Sequence, residues 1–329
     1  MTLSAPTLPP AATAPAPESG PRRRTPRATG TRAGGGPGTR TLISDTELRR
    51  GRGRIVYFTV LTVVTLLCVA VFLFPIYWMV TSAVKAPQEY ALIPPTFVPE
   101  SFHPETYAQA WTEMEIFRYF LNTVFYAFGG WLIQIIVDVA AAYALSKLRP
   151  VLGKLVLGLM LASLMLPASA LLVPAYLTVT DVPLFGVNLI DTPWALWLPA
   201  AANAFNIYVL KRFFDQIPND LLDSASLDGA GRGRILWNIV LPLSRPVLGV
   251  VSIFAIIGIW KDFLWPLLVL QDTKVQTLSV ALSRLAATSQ VPPTLMMAGL
   301  VIASIPMIVI FLVFQRSIIG GLAAGSMKG

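Results

Sequence analysis

The sequence predicts an all-α membrane protein with six transmembrane helices and a disordered N-terminal tail, and three observations predict it. Of 329 residues, 55% are hydrophobic and only 13% are charged, where a soluble domain carries roughly 25% charged residues. Past residue 54 the apolar residues come in runs of about 20 or more, the length that crosses ~30 Å of hydrocarbon as a helix. The first 54 positions hold ten of the 25 basic residues, a block next to the first run that suits an anionic cytoplasmic leaflet better than nucleic acid.

Residues 1–50 are rich in Pro, Ala, Gly and Arg and lack apolar periodicity. Such a segment cannot offset the entropy of ordering, so it is expected to be a disordered cytoplasmic tail. No short apolar core with a small-residue cleavage site precedes Ile55, which makes the first run a retained anchor. Spans are expected near 55–80, 119–146, 152–178, 193–213, 246–271 and 295–316. Residues 51–117 then form the first span and an external loop, and 118–316 a five-helix core with a cytoplasmic loop at 215–245. Residues 317–329 form a cytoplasmic C-terminal tail.

With the N-terminus inside, twenty basic residues fall on the cytoplasmic side. Only Lys85, Arg118, Lys274 and Arg284 fall outside, so both termini are expected in the cytoplasm. The outer loop from 81 to 118 carries five glutamates, among them Glu89, and prolines at 87, 94, 95, 99 and 104 exclude a long helix there.

Several chemistries are excluded. The single cysteine, Cys68, lies in the first run, and the single histidine, His103, precedes Pro104. No thiolate metal site, His-Glu-x-x-His pair or other metal centre is expected. No histidine lies in an expected span, which argues against an intramembrane hydrolase. No Gly-x-x-x-x-Gly-Lys-Ser/Thr phosphate loop occurs, and the glycine run at 229–234 lacks a Gly-Lys pair. The chain is therefore expected to bind no cofactor, to hold no catalytic residue and to be no enzyme.

One polar stretch stands apart, Ile217 to Ala230. Asn219 or Asp220 is expected to cap a short helix, Asp223 to place negative charge near its start, and Gly229 to end it in the left-handed conformation. Ile235, Leu236, Ile239 and Val240 then fall at helical spacing until Leu241-Pro242 is expected to break the run. Physics alone leaves two readings: a connector lying on the lipid surface, or a bracket projecting toward a partner.

Asp223-Ser224-Ala225-x-x-Asp228-Gly229-Ala230, followed after an interval by Leu241-Pro242, resembles the Glu-Ala-Ala-x-x-Asp-Gly-Ala loop of ABC importer permeases. Flanking matches are Ala140-Ala-Ala-Tyr143-Ala144-Leu145, Trp260-x-Asp262-Phe263-x-x-Pro266-Leu267, and the tail from Gln315-Arg316 to Gly325-x-x-Lys328-Gly329. Together they are similar to the carbohydrate, MalG-like branch, from about Phe74 to the last residue. The resemblance implies the type I permease fold. It also implies a second permease as heterodimer partner, two ATP-binding subunits that use ATP and Mg, and an external solute-binding protein that delivers a sugar. By the same resemblance, the loop docks on the ATPase, as do Gly325, Lys328 and Gly329. This chain departs from the pattern at Asp223, where Glu is usual, at Ser224, where Ala is usual, and at Lys261, where Asn is common.

Charges inside the bilayer normally face a partner or a water-filled path. Asp138 reads either as a contact lining the translocation path or partner interface, or as a packing contact to a neighbouring helix. Lys261 and Asp262 read either as the external end of the path or, for the lysine, as snorkelling toward an interface. Trp194, Trp197, Trp260 and Trp265 could stack on sugars or form an interfacial belt. The alternative from another class is a secondary transporter working without ATP, which should show internal repeats and broken spans at matching positions. No repeat is evident.

Overall fold

The computed structural model describes residues 51–288 and 291–326, with side-chain surroundings for 53–288 and 291–315. The expected tail at 1–50, together with Lys328 and Gly329, lies outside the described residues. The chain divides into a unit ending at Thr65 and a unit beginning at Leu66, and helix α1 (Gly51–Ala83) runs through that boundary. In the first unit Ile55, Val56, Leu61, Val63 and Val64 are all exposed. A helix apolar all round suits lipid rather than water.

In the second unit, α2 (Pro87–Tyr90) and α3 (Glu105–Glu113) are short helices in the expected external loop. Helix α4 (Ile116–Tyr143) continues into a π turn (Ala144–Leu148). Helices α5 (Gly153–Ser163), α6 (Ala168–Thr180), α7 (Trp194–Ala200) and α8 (Ala204–Asp215) follow. The polar stretch forms α9 (Asn219–Leu227), α10 (Arg232–Ile235), a second π turn (Leu236–Val240) and α11 (Leu241–Leu243). The chain closes with α12 (Arg245–Lys261), α13 (Leu264–Val269), α14 (Leu278–Thr288) and α15 (Pro293–Ser326).

Among the described residues three helices are long and apolar enough to cross a membrane unbroken: Gly53–Ala83, Ile116–Leu148 and Pro293–Gln315. Two bent pairs raise the count to five, one joining α5 and α6 at 109° and one joining Arg232–Leu243 to α12 at 84°. The run expected as a fourth continuous span is instead two short helices, α7 and α8. Pro199 lies near the end of the first, and Asn203 starts the second by accepting the Asn206 N–H at 3.1 Å. Proline lacks the N–H that would continue the helix, and the Asn203 side chain supplies an acceptor for one free N–H at the start of the next. Pro167 marks the break in the third run, and Asp262, in extended conformation, ends α12 in the fifth.

Two other expectations change. Pro242 does not stop the helical path, which runs through Leu243 and bends at Ser244. It sits in the first turn of α11, where its missing N–H is not needed. The final helix also runs beyond 316, to Ser326.

Three buried clusters organise the second unit. One joins Val139, Ala142 and Tyr143 of α4 to Ile207, Leu210 and Phe214 of α8 and to Leu222, Ile235 and Val240 of the polar stretch. A second gathers Tyr126, Leu196, Val269 and Leu270. A third packs Ala110, Met114 and Ile116 against α14 and α15.

Candidate functional site

The polar stretch folds as a bracket with a rooted inner face and an open outer face. Leu222, Ile235 and Val240 are buried in the cluster that includes α4 and α8. Burial stabilises such side chains by about 1.5–3 kcal/mol each, so these three anchor the stretch to the helices. On the outer face Leu227 is 90% exposed and Trp237 71% exposed. Asp223 and Asp228 are exposed as well.

Its turn is built on Gly229, with φ at +83°. The Gly229 N–H donates to the Ser226 carbonyl at 3.1 Å and the Ala230 N–H to the Ala225 carbonyl at 2.9 Å. These are the two bonds of a Schellman motif, which needs a left-handed residue at this position. A Cβ placed there would meet no atom within 4 Å, so the requirement is conformational rather than a matter of space. The Ser224 hydroxyl turns back on the Asp220 carbonyl at 2.7 Å, inside the helix.

The expected N-cap does not form. Pro218 holds the cap position of α9, and no side chain accepts there. Asn219 instead accepts from the Lys147 ammonium at 3.1 Å, and the same ammonium donates to the Ile217 carbonyl at 2.8 Å. Lys147 belongs to the π turn that ends α4, so it ties that helix to the start of the bracket. The Tyr143 hydroxyl adds a second tie, to the Arg232 carbonyl at 3.3 Å. Asp215, the last residue of α8, accepts from Ser146 and Lys211, each at 2.7 Å. Burial would raise its carboxyl, but those two bonds outweigh it and hold the group below the usual carboxylate range. Leu241 is half-buried against the same cluster and Pro242 is exposed.

Two cavities lie between α4, α7, α8 and α12. The larger, of about 650 Å³, is lined by Gln134, Asn203, Asn206, Phe254 and Asp262. The smaller, of about 210 Å³, is lined by Thr123, Tyr126, Trp265, Thr277 and again Asp262. They share Pro199, Ala200, Ile259 and Asp262. From Thr123 to Gln134 along α4 is roughly 16 Å at 1.5 Å per residue, about half a bilayer core. Lys261 is exposed and does not line either cavity, so the adjacent pair separates.

Asp138 sits one turn beyond Gln134 and does not line the cavities. It is 0% exposed, and its Oδ1 accepts the Asn203 N–H at 2.9 Å, the donor freed where α7 stops and α8 begins. Its Oδ2 is buried without a partner. The four tryptophans also divide. Trp197 donates to the Tyr126 carbonyl at 3.1 Å, and its ring fills the space beside Gly129. Trp265 donates to the Ala195 carbonyl at 2.9 Å while lining the smaller cavity. Trp194 and Trp260 pack edge-on against Trp197 and Phe120. Gln134 and Asn206 were missed by sequence reasoning, although Gln134 lies four residues from Asp138 and shares its helix face. Gly325 lies in α15, where side-chain surroundings are not described.

Comparison with known proteins places this geometry in context. Residues 134–322 match the family described as the inner membrane component of binding-protein-dependent transport systems. Protein LplC of Bacillus subtilis is 31% identical over 275 residues, covering 79% of this chain and 90% of the relative. The melibiose/raffinose/stachyose import permease protein MelC of the same organism is 31% identical over 259 residues, covering 78% and 91%. A chain of a bacterial ABC transporter that imports the acidic polysaccharide alginate has the same fold, with a TM-score of 0.72 at 22% identity, covering 84% of this chain and 99% of that one.

Proposed function

This chain belongs to the family of inner membrane components of binding-protein-dependent transport systems, and on that premise we propose that it is one permease subunit of an ATP-driven importer of a sugar or oligosaccharide. The observation that carries the coupling role is the two-faced bracket. Its inner face is rooted among the ends of α4 and α8, and its outer face leaves Leu227, Trp237, Asp223 and Asp228 open. A partner ATPase that grips the outer face and closes drives the inner face against the spans, a two-state element biased by a partner. Asp223, Ser224, Ala225, Asp228, Gly229, Ala230, Leu241 and Pro242 make up this device. Gly325, Lys328 and Gly329 are assigned to a contact with the ATPase pair on the family resemblance alone.

The sugar assignment is supported by relatives such as MelC, and by cavity walls where amides and a carboxylate stand among aromatic rings. Hydroxyl-rich ligands take both kinds of contact. The path runs past Gln134, Asn206 and Asp262, with Asp138 holding the break in the wall behind. ATP and Mg are used by the partner subunits. A second permease completes the path, a solute-binding protein feeds it from outside, and both termini are cytoplasmic.

Interrupted helices beside one cavity are also found in carriers that work without ATP, so the decisive experiment is reconstitution. The chain alone in vesicles should take up no sugar, whereas the chain with a second permease, the ATPase and the binding protein should do so on addition of ATP. Uptake by the chain alone would contradict the proposal.

A further inference from the structure

A cleft of about 640 Å³ lies between the ends of α4, α5 and α8, away from the two cavities and from the outer face of the bracket. Its polar walls are Ser146, Arg149, Lys154, Lys211 and Asp215. Asp215 is already committed, one oxygen to Ser146 and the other to Lys211. Arg149 and Lys154 have no carboxylate within 4 Å among the described residues. Arg149 uses one N–H on the Ser146 carbonyl at 3.3 Å and keeps four of its five donors free. The cleft therefore presents two uncompensated cations in a pocket already shaped by a saturated ion pair.

Beside it the surface turns apolar. Val151 and Leu152, in the loop that enters α5, are exposed, and so are Leu155 and Leu159 along that helix. Leu155 and Leu159 are one turn apart and share a face. Cations in a cleft and a greasy ridge leading away from it match the two ends of one molecule.

We propose that this cleft binds the headgroup of an anionic phospholipid, with Arg149 and Lys154 on its phosphate and its acyl chains along Leu155 and Leu159. Basic pockets between helix ends at the cytoplasmic surface are suited to such headgroups, and the planar guanidinium fork favours phosphate oxygens. The proposal rests on the topology in which this end of α4 is cytoplasmic. Bound there, the lipid braces α4 and α8 where Ser146 meets Asp215, next to the point where Lys147 meets the start of the bracket.

The test uses the purified full chain in detergent micelles doped with phosphatidylglycerol or phosphatidylcholine, with retained lipid read by native mass spectrometry. The wild-type chain should retain phosphatidylglycerol preferentially. Lys154→Gln should weaken that retention about fivefold, and Arg149→Gln with Lys154→Gln about thirtyfold. Arg149→Lys with Lys154→Arg should keep the preference, which separates charge from folding. Equal retention of the two lipids by wild type, or a preference unchanged in the double glutamine variant, overturns the proposal. Loss of the preference in the charge-conserving variant overturns it too, as does full displacement by millimolar inorganic phosphate, which identifies a free-anion site. The topology is checked separately, by labelling Val151→Cys in a Cys68→Ala background with a membrane-impermeant reagent. Labelling from outside would refute the topology while leaving the binding result intact.

Discussion

The connector between α1 and α4 and the bracket between α8 and α12 both turn the chain between membrane helices, yet they use their carboxylates in opposite ways. In the connector Glu89 is buried, with Oε1 accepting from the Thr96 hydroxyl and the Glu100 N–H and Oε2 from the Ser101 N–H and hydroxyl. Lys85 closes the same loop by donating to the Thr96 carbonyl, its ammonium 4.9 Å from the Trp78 ring centre. In the bracket Asp223 and Asp228 are exposed beside bare Leu227 and Trp237. A saturated carboxylate locks a loop on itself. An open one beside exposed apolar side chains makes a surface that is complete only with a partner.

The largest effect is expected where the open surface is reversed. Asp223→Lys puts a cation on the outer face of α9 and inverts the charge offered to the ATPase. Uptake should fall more than tenfold and the ATPase should be lost on copurification, while the amount of chain in the membrane stays unchanged. Retained ATPase at wild-type yield would mean that the bracket docks without this charge.

The connector should fail locally instead. The Glu100 N–H first, with the Thr96 and Ser101 donors, holds the Glu89 carboxyl at about 2, against an ordinary value of 4.5. A depressed carboxylate stabilises its loop fully above the ordinary value and loses that contribution as pH falls toward the depressed one. Proteolysis of the connector by an acid-tolerant protease should therefore stay constant down to about pH 4.5 and rise as pH falls toward 2. Glu89→Ala should show the opened pattern already at neutral pH, because the Glu100 and Ser101 N–H groups lose their acceptors. ATPase copurification should be unaffected, and coupled loss of both would erase the contrast between the two regions.

A smaller effect is expected at the helix break between them. Asp138→Leu takes away the acceptor of the Asn203 N–H, a loss of one hydrogen bond that should cost about 1 kcal/mol. Asp138→Asn keeps an acceptor oxygen and should be milder. Thermal unfolding of the purified complex should rank wild type, asparagine and leucine in that order. Equal stability of all three would remove Asp138 from its part in holding the break.

Much of this architecture is legible in the amino-acid sequence. The Gly229 turn follows from a glycine placed after a short amphipathic helix, and the unbroken first, second and last helices follow from their apolar runs. The breaks are less visible because hydropathy averages over them. Pro167, Pro199 and the polar Asn203 sit inside runs apolar enough to read as continuous. The ties at Lys147 and Asp215 are hidden for another reason. Lys147 meets Asn219 and Ser146 meets Asp215 across 72 and 69 residues, and no local pattern encodes a partner so distant. Asn219 reads as a cap because its chemistry suits one, but Pro218 takes the cap position and the Asn219 oxygen accepts from Lys147 instead.

The central claim is that the bracket converts ATPase closure into movement of the spans, and its most direct measurement is the number of sugar molecules imported per ATP hydrolysed. Gly229→Val is the probe. Its β-carbon meets no neighbour, but a left-handed residue with a β-carbon costs about 1–2 kcal/mol and a branched one more, so the Schellman turn that sets the angle between α9 and α10 should give way. In the reconstituted complex the ratio should fall severalfold, with the chain inserted normally, and the tail substitution Arg22→Ala should leave it unchanged. A Gly229→Val complex that imports and hydrolyses at the wild-type ratio would show the bracket to be a passive connector.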